Sequence, residues 1–402
     1  MGSIALGLLT AVGGFVDIGG IVTAMQAGSQ FRYSLLWTLI PGIAGAILFT
    51  EMSGRVAVAS GRPVFDFIRE RLGYKLALIP LFSAIIANSL TLVAELAGMA
   101  LALQLASRVS YLIWFPFAAF FLWLILWKAS FSLLDVGTAL LGLATLVFVA
   151  SMVLVQPPWG EIAKELVFPS IPHVSIASYL FMVVSLLGAY MTPYQFYFYS
   201  SGAMEEEWKG EDLILNRVSS TIGTAFGAVV DLAIVLVAAV ALFPNNNPGL
   251  GDLGSAVTGV LDGVGWVLFL IGVFAVSLGA GLECSLSTAY GVAQYLGFDW
   301  GKHFRPRDAP VFSLVYTVMI PLAIVVAVTG VNPIGLTLWA MAIAAFSLPF
   351  TFVPLLVVAN DPLYMGEQVN SWPVNALAIF LAILLSMVTI SVIPLLILPG
   401  VS

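Results

Sequence analysis

Charge is scarce in this sequence. Lysine and arginine number 14 and aspartate and glutamate 21 among 402 residues, together 9%. A soluble domain carries about 25%, so that class is excluded. The single cysteine, Cys284, lies in an apolar run, which rules out a disulfide or a thiolate cluster within one chain. The two histidines, His173 and His303, fall in loops between apolar runs, so no histidine ligand set is expected inside a membrane. No nucleophile–base pair and no cofactor loop is evident, so neither an enzyme nor a bound cofactor is expected. The net charge of −7 comes partly from Glu205-Glu206-Glu207 and identifies no partner; nucleic acid is not expected.

What the chain has instead is apolar length. Hydrophobic residues make up 61% and mean hydropathy is +1.07. The runs are continuous rather than alternating, which predicts a polytopic helical membrane protein and not a barrel. Windows of about 20 apolar residues predict eleven spans: 4–26, 33–58, 76–106, 110–127, 133–155, 174–200, 218–244, 262–296, 309–329, 332–358 and 372–397. The first run lacks a basic flank and contains Asp17, so it reads as a span and not as a cleavable signal. With the N-terminus in the cytoplasm, ten loop lysines and arginines fall inside and only Arg32, Arg108 and Lys164 outside. The positive-inside rule therefore predicts a cytoplasmic N-terminus and an extracytoplasmic C-terminus.

Two spans are interrupted. The first carries Gly13-Gly14-Phe15-Val16-Asp17-Ile18-Gly19-Gly20, a carboxylate among glycines where a membrane helix is least tolerant of either. An ionisable residue at bilayer depth points to function, and glycines let the backbone leave the helix. The sixth carries Leu187-Gly188-Ala189-Tyr190-Met191-Thr192-Pro193-Tyr194-Gln195, where Pro193 removes a backbone donor and breaks the helix. Breaks at corresponding positions of two halves point to an inverted-repeat transporter. Repeat one is then 1–155, repeat two 174–358, and 372–397 an added helix, all in one transmembrane domain. Two further acids lie deep in spans. Asp231 in the seventh lines an ion path or is a structural acid, and Glu283 in the eighth reads as structural first and path-lining second. Glu51 and Arg55 stand four apart with the acid first, the favourable order for a structural or gating pair.

These residues together resemble the natural resistance-associated macrophage protein (Nramp) family of divalent metal transporters. The likeness is carried by Asp17 and Gly19 in the first span, Gly188-Ala189 and Pro193 in the sixth, Glu51 with Arg55, Glu95, and Ser347-Leu348-Pro349-Phe350 with Pro354-Leu355 and Met365-Gly366-Glu367. The resemblance implies an all-α, LeuT-like inverted repeat with helices 1 and 6 broken, and a metal ion as substrate. Carried over by position, the family's ligands fall on Asp17, Gly20, Ala189 (by its carbonyl) and Thr192. An amide has become Gly20 and a thioether Thr192, as in a divergent branch similar to the magnesium-transporting relatives. Two family histidines fall on Tyr194 and Tyr199 and a third-helix aspartate on Leu92, while Glu95 is kept as a candidate proton carrier. Tyrosine, with an ordinary pKa of about 10, cannot exchange protons near neutrality as histidine does.

The implied donors are oxygens, which suit hard cations, and the volume missing at Gly20 leaves room for retained water. Tyr190 adds to the cavity wall, and Met341 in the tenth span is a candidate replacement sulfur donor. The expected function is transport of Mg²⁺ or Mn²⁺ by alternating access with weak or no proton coupling, by a monomer in a prokaryotic plasma membrane whose partners are the ion and the bilayer. Other readings stay open at this level: a same-fold transporter of an amino acid or small organic ion, a sensor that binds without translocating, and a proton-coupled transition-metal transporter.

Overall fold

In a bilayer each apolar segment must satisfy its own backbone hydrogen bonds. The computed structural model describes residues 16–170 and 175–397, and all of its regular structure there is helical. Apart from one short turn of helix over Pro362–Met365, the α-helices in chain order are α1 (Ile18–Phe31), α2 (Leu39–Ser60), α3 (Val64–Ser107), α4 (Tyr111–Lys128), α5 (Phe131–Gly142), α6 (Leu146–Val155), α7 (Trp159–Val167), α8 (Ile176–Tyr190), α9 (Pro193–Glu205), α10 (Leu213–Ala241), α11 (Leu250–Leu296), α12 (Pro310–Ala327), α13 (Pro333–Ala359) and α14 (Trp372–Ile397). Gly13, Gly14, Phe15 and His173 lie outside the described residues.

Nine helices or helix runs among the described residues are long and apolar enough to cross a membrane, against eleven predicted. The first and fifth predicted spans account for the difference. The described part of the first, α1, has only 14 residues. The fifth is divided into α5 and α6 by a 3₁₀ turn over Leu143–Thr145, and the chain then bends by 112° into α7. Two helices start earlier than their hydropathy indicates. The charged stretch before 76 is helical from Val64, with a break at Gly73 (φ 77°), and a surface helix from Leu250 leads into the eighth span across Asp262 (φ 54°). The first arm is too charged for an apolar window to find, and the second is mostly apolar but too short to span.

The helix packing repeats itself in the two halves. Helix α1 lies on α10, spans one and seven, while α9 and α8 lie on α2, spans six and two. Likewise α3 packs on α4 and α13, and α11 packs on α12 and on the α5–α6 pair. Small residues permit the close approach: a Cβ on Gly188 of α8 would run into the Met341 carbonyl of α13. Large apolar side chains such as Phe117, Phe120, Leu314 and Phe380 are exposed on the outside of the bundle, where hydrocarbon receives them.

Candidate functional site

The predicted break in the sixth span is present, shifted by a residue or two, and the described part of the first span begins in non-helical backbone at Val16 and Asp17. Asp17 is extended (φ −132°, ψ 171°), and its Oδ1 accepts from the Gly20 N–H at 2.6 Å as the N-cap of α1. Gly19 and Gly20, expected to be unwound, therefore form the first turn of a helix. In the sixth span Ala189 and Tyr190 stay helical and only Met191 (ψ 82°) and Thr192 (ψ 141°) leave the helix. Pro193 takes the first position of α9, where its missing donor costs nothing. The carbonyl of Ala189 would find its helical donor four residues on, at Pro193, which has none. The negative end of α8 thus faces the break.

Side chains from four other helices meet at the N-terminus of α1. Tyr194 of α9 donates its hydroxyl to Asp17 Oδ2 at 3.0 Å. Glu95 of α3 accepts from the Ile18 N–H at 3.3 Å through Oε2. A Cβ built on Gly20 would stand 2.9 Å from Asp231 Oδ1 of α10 and 3.5 Å from Asp17 Oδ1. The space vacated at position 20, expected to hold water, is thus closed by a second carboxylate. A Cβ on Gly19 would meet the Met341 sulfur of α13 and lie 3.0 Å from Asp17 Oδ1, so a thioether also borders this carboxylate. Asp17, Asp231, Glu95 and Thr192 are all buried. Asp231 Oδ1, Glu95 Oε1 and Thr192 Oγ1 have no hydrogen-bond partner among the described residues. Among the described residues no three His, Cys, Asp or Glu side chains converge as a metal cluster. Around Gly19 and Gly20 stand two carboxylates, Asp17 and Asp231, and the Met341 sulfur.

A cavity of about 20 Å³ adjoins the site, lined by Ile43, Ala46, Ala189, Tyr190, Gln195, Thr224, Gly227, Ala228 and Asp231. Tyr190 packs its ring over Gly42 of α2, and Gln195 Oε1 accepts from the Thr192 N–H at 3.4 Å.

The remaining predicted residues lie apart. Arg55 pairs with Glu51 at 3.1 Å, and its other nitrogens reach the Gln368 carbonyl and, at 2.6 Å, Asn370 Oδ1. Arg217 and Asn216 of α10 join the same Glu51. This pair links α2 to α10 and to the loop before α14. Tyr199 donates to the Asn216 carbonyl at 3.2 Å, and Leu92 is buried in an apolar cluster. Glu283 is half-buried on α11, and Gly281 of the same helix abuts Glu95.

Two features escape a reading of the sequence. Thr224 stands seven residues before Asp231, two turns along the same helix face, and that spacing is the available signal. Glu205 reads as part of a surface acidic run, yet its side chain is 2% exposed. It accepts from Tyr290 at 2.8 Å and the Lys302 N–H at 2.5 Å, and pairs with His303 at 3.2 Å. Burial pushes the neighbouring Lys302 amine down to about 8, with the Glu205 charge working the other way.

A broken helix meeting the N-terminus of another at buried carboxylates, within a repeated helix bundle, is the arrangement of an ion- or solute-transporter fold. The solved structures agree. The manganese transporter of Eremococcus coleocola, determined with an aromatic bis-isothiourea substituted compound, superposes with a TM-score of 0.78 at 20% identity, covering 97% of this chain and 85% of that one. Mhp1, a nucleobase-cation-symport-1 family transporter, superposes with a TM-score of 0.64 at 14% identity over 97% and 90%. Both show the fold alone. The sequence model described as "Natural resistance-associated macrophage protein-like" matches residues 7–394, and this chain belongs to that family. Curated relatives include the divalent metal cation transporter MntH of Listeria welshimeri, 28% identical over 401 residues with 94% of this chain and 87% of the relative covered. The protein of the same name from Klebsiella pneumoniae is 24% identical over 371 residues, covering 89% and 86%. The family places the chain among membrane transporters and not among enzymes.

Proposed function

We propose that this protein carries Mg²⁺ and Mn²⁺ across a prokaryotic plasma membrane by alternating access, with weak or no proton coupling. One observation carries the reading: the Asp17 and Asp231 carboxylates converge on the side-chain space absent at Gly20. Two carboxylates, a carbonyl freed by Pro193 and the Thr192 hydroxyl form an oxygen set suited to hard divalent ions. The adjoining cavity, about 20 Å³, suits an ion with water and not an amino acid. The relatives' names, divalent metal cation and manganese transporters, support the same class of cargo.

Weak coupling is supported by what replaces the expected relay. Tyr194 and Tyr199 stand where histidines were implied, Leu92 is apolar, and Glu95 is engaged at the N-terminus of α1. The repeats 1–155 and 174–358 with the added helix 372–397, the cytoplasmic N-terminus, the extracytoplasmic C-terminus and a monomeric state belong to the same proposal.

The test is uptake of Mg²⁺ and Mn²⁺ into proteoliposomes by wild type and Asp17→Ala. Flux that survives in the variant sinks the site. A second reading, transition-metal transport, is favoured by the Met341 sulfur beside Gly19 and Asp17. Met341→Leu separates the two: loss of Cd²⁺ uptake with Mg²⁺ uptake kept makes the sulfur a ligand for soft ions.

A further inference from the structure

We propose that Thr224 and Asp231 hold one water of the transported ion's shell, making the small cavity beside the site the element that admits strongly hydrated Mg²⁺. The inference rests on the metal-site reading above and adds to it a selectivity residue outside the ligand set.

The cavity's volume of about 20 Å³ has room for one water. Its wall joins Ala189 and Asp231, which belong to the metal site, to Thr224 and Gln195, which do not. Asp231 Oδ1 and Thr224 Oγ1 are both buried, at 5% and 6% residue exposure, and neither has a hydrogen-bond partner among the described residues. Among the buried threonines Thr50 and Thr192 are also unpaired, but neither lines this cavity, and others close their bond within the helix. Thr23, Thr288 and Thr337 each return their hydroxyl to the carbonyl four residues back. Thr224, also inside a helix, makes no such bond. A polar group held unpaired at nine-tenths burial needs a partner supplied from the cavity.

The chemistry of that partner comes from the donors present. A water bound to a divalent cation turns its oxygen to the metal and offers both hydrogens outward, so its second shell must accept. A carboxylate oxygen and a hydroxyl oxygen do so. Asp231 thus faces two ways, toward Asp17 across Gly20 and toward Thr224 across the cavity. Mn²⁺ sheds water more readily than Mg²⁺, which dehydrates reluctantly. The accepting pocket therefore favours Mg²⁺ selectively.

The test is the ratio of Mg²⁺ to Mn²⁺ uptake in proteoliposomes, each ion supplied alone and in competition. Thr224→Val removes the acceptor at nearly constant volume and should lower that ratio by roughly threefold to tenfold, the worth of one hydrogen bond. Thr224→Ser, which restores the hydroxyl, should restore the ratio, a recovery that a packing defect would not give. An unchanged ratio in Thr224→Val, including an equal fall for both ions, overturns the inference while leaving the site intact. Uptake of either ion that persists in Asp17→Ala overturns the site reading itself, and so does a wild type that moves neither ion.

Discussion

Adding one methyl at position 20 tests how tightly the two carboxylates are set. A Cβ there would stand 2.9 Å from Asp231 Oδ1 and 3.5 Å from Asp17 Oδ1. The second distance is an ordinary contact, whereas the first requires Asp231 to retreat by several tenths of an ångström. Overpacking of this kind costs about 1–3 kcal/mol. The first turn of α1 is pinned by the Asp17 and Glu95 hydrogen bonds, so the Asp231 carboxylate is what yields. If the whole cost falls on ion binding, Gly20→Ala weakens Mg²⁺ by about fivefold to 150-fold. The larger Gly20→Asn, which restores the family's amide, should fail alone and recover transport only when Asp231→Ala clears its place. Adding Thr192→Met to that pair should then move preference from Mg²⁺ toward Cd²⁺, because a thioether joins the donor set. The assay is competition of Mg²⁺ and Cd²⁺ for uptake into proteoliposomes. Wild-type Mg²⁺ affinity in Gly20→Ala would refute the reasoning, since Asp231 would then not stand against position 20.

Three further outcomes are expected. Asp17→Ala should abolish flux and cost about 1 kcal/mol of stability through the lost cap, whereas Glu283→Gln should keep much of the flux; thermal unfolding with tracer uptake separates the two effects. A pH-sensitive dye in the vesicle lumen should report no acidification scaling with metal uptake, and acidification that does scale would point to Glu95 or Asp231 as the carrier. The Lys302 amine, pushed down to about 8, should react with amine labels at a pH well below that for a free lysine amine, whose ordinary pKa is about 10.4. Glu205→Gln removes the charge that favours protonated Lys302 and should lower that midpoint further, as read by mass spectrometry across a pH series.

The sequence by itself determined whatever depends on chemistry local to the chain. Long apolar runs require helices in a bilayer, and Pro193 cannot supply the donor that would carry the sixth span onward. Membership of the family was legible from motifs spread along the chain. The extents of α3 and α11 were not, because the arm of α3 is charged, that of α11 is too short to span, and only Gly73 and Asp262 mark where each turns into the membrane. Asp17, Asp231, Met341 and Tyr194 were candidates in the sequence, and which of them meet was decided by tertiary structure. Asp231, Met341 and Tyr194 reach Asp17 and its glycines through the rotation of α10, α13 and α9 about their own axes. Hydropathy cannot fix that phase in helices that are apolar on almost every face. Gly20 shows the difference most sharply. In the sequence it is an absent ligand and a space for water. In the fold that same absence lets a carboxylate 211 residues away (231 − 20) stand beside Asp17.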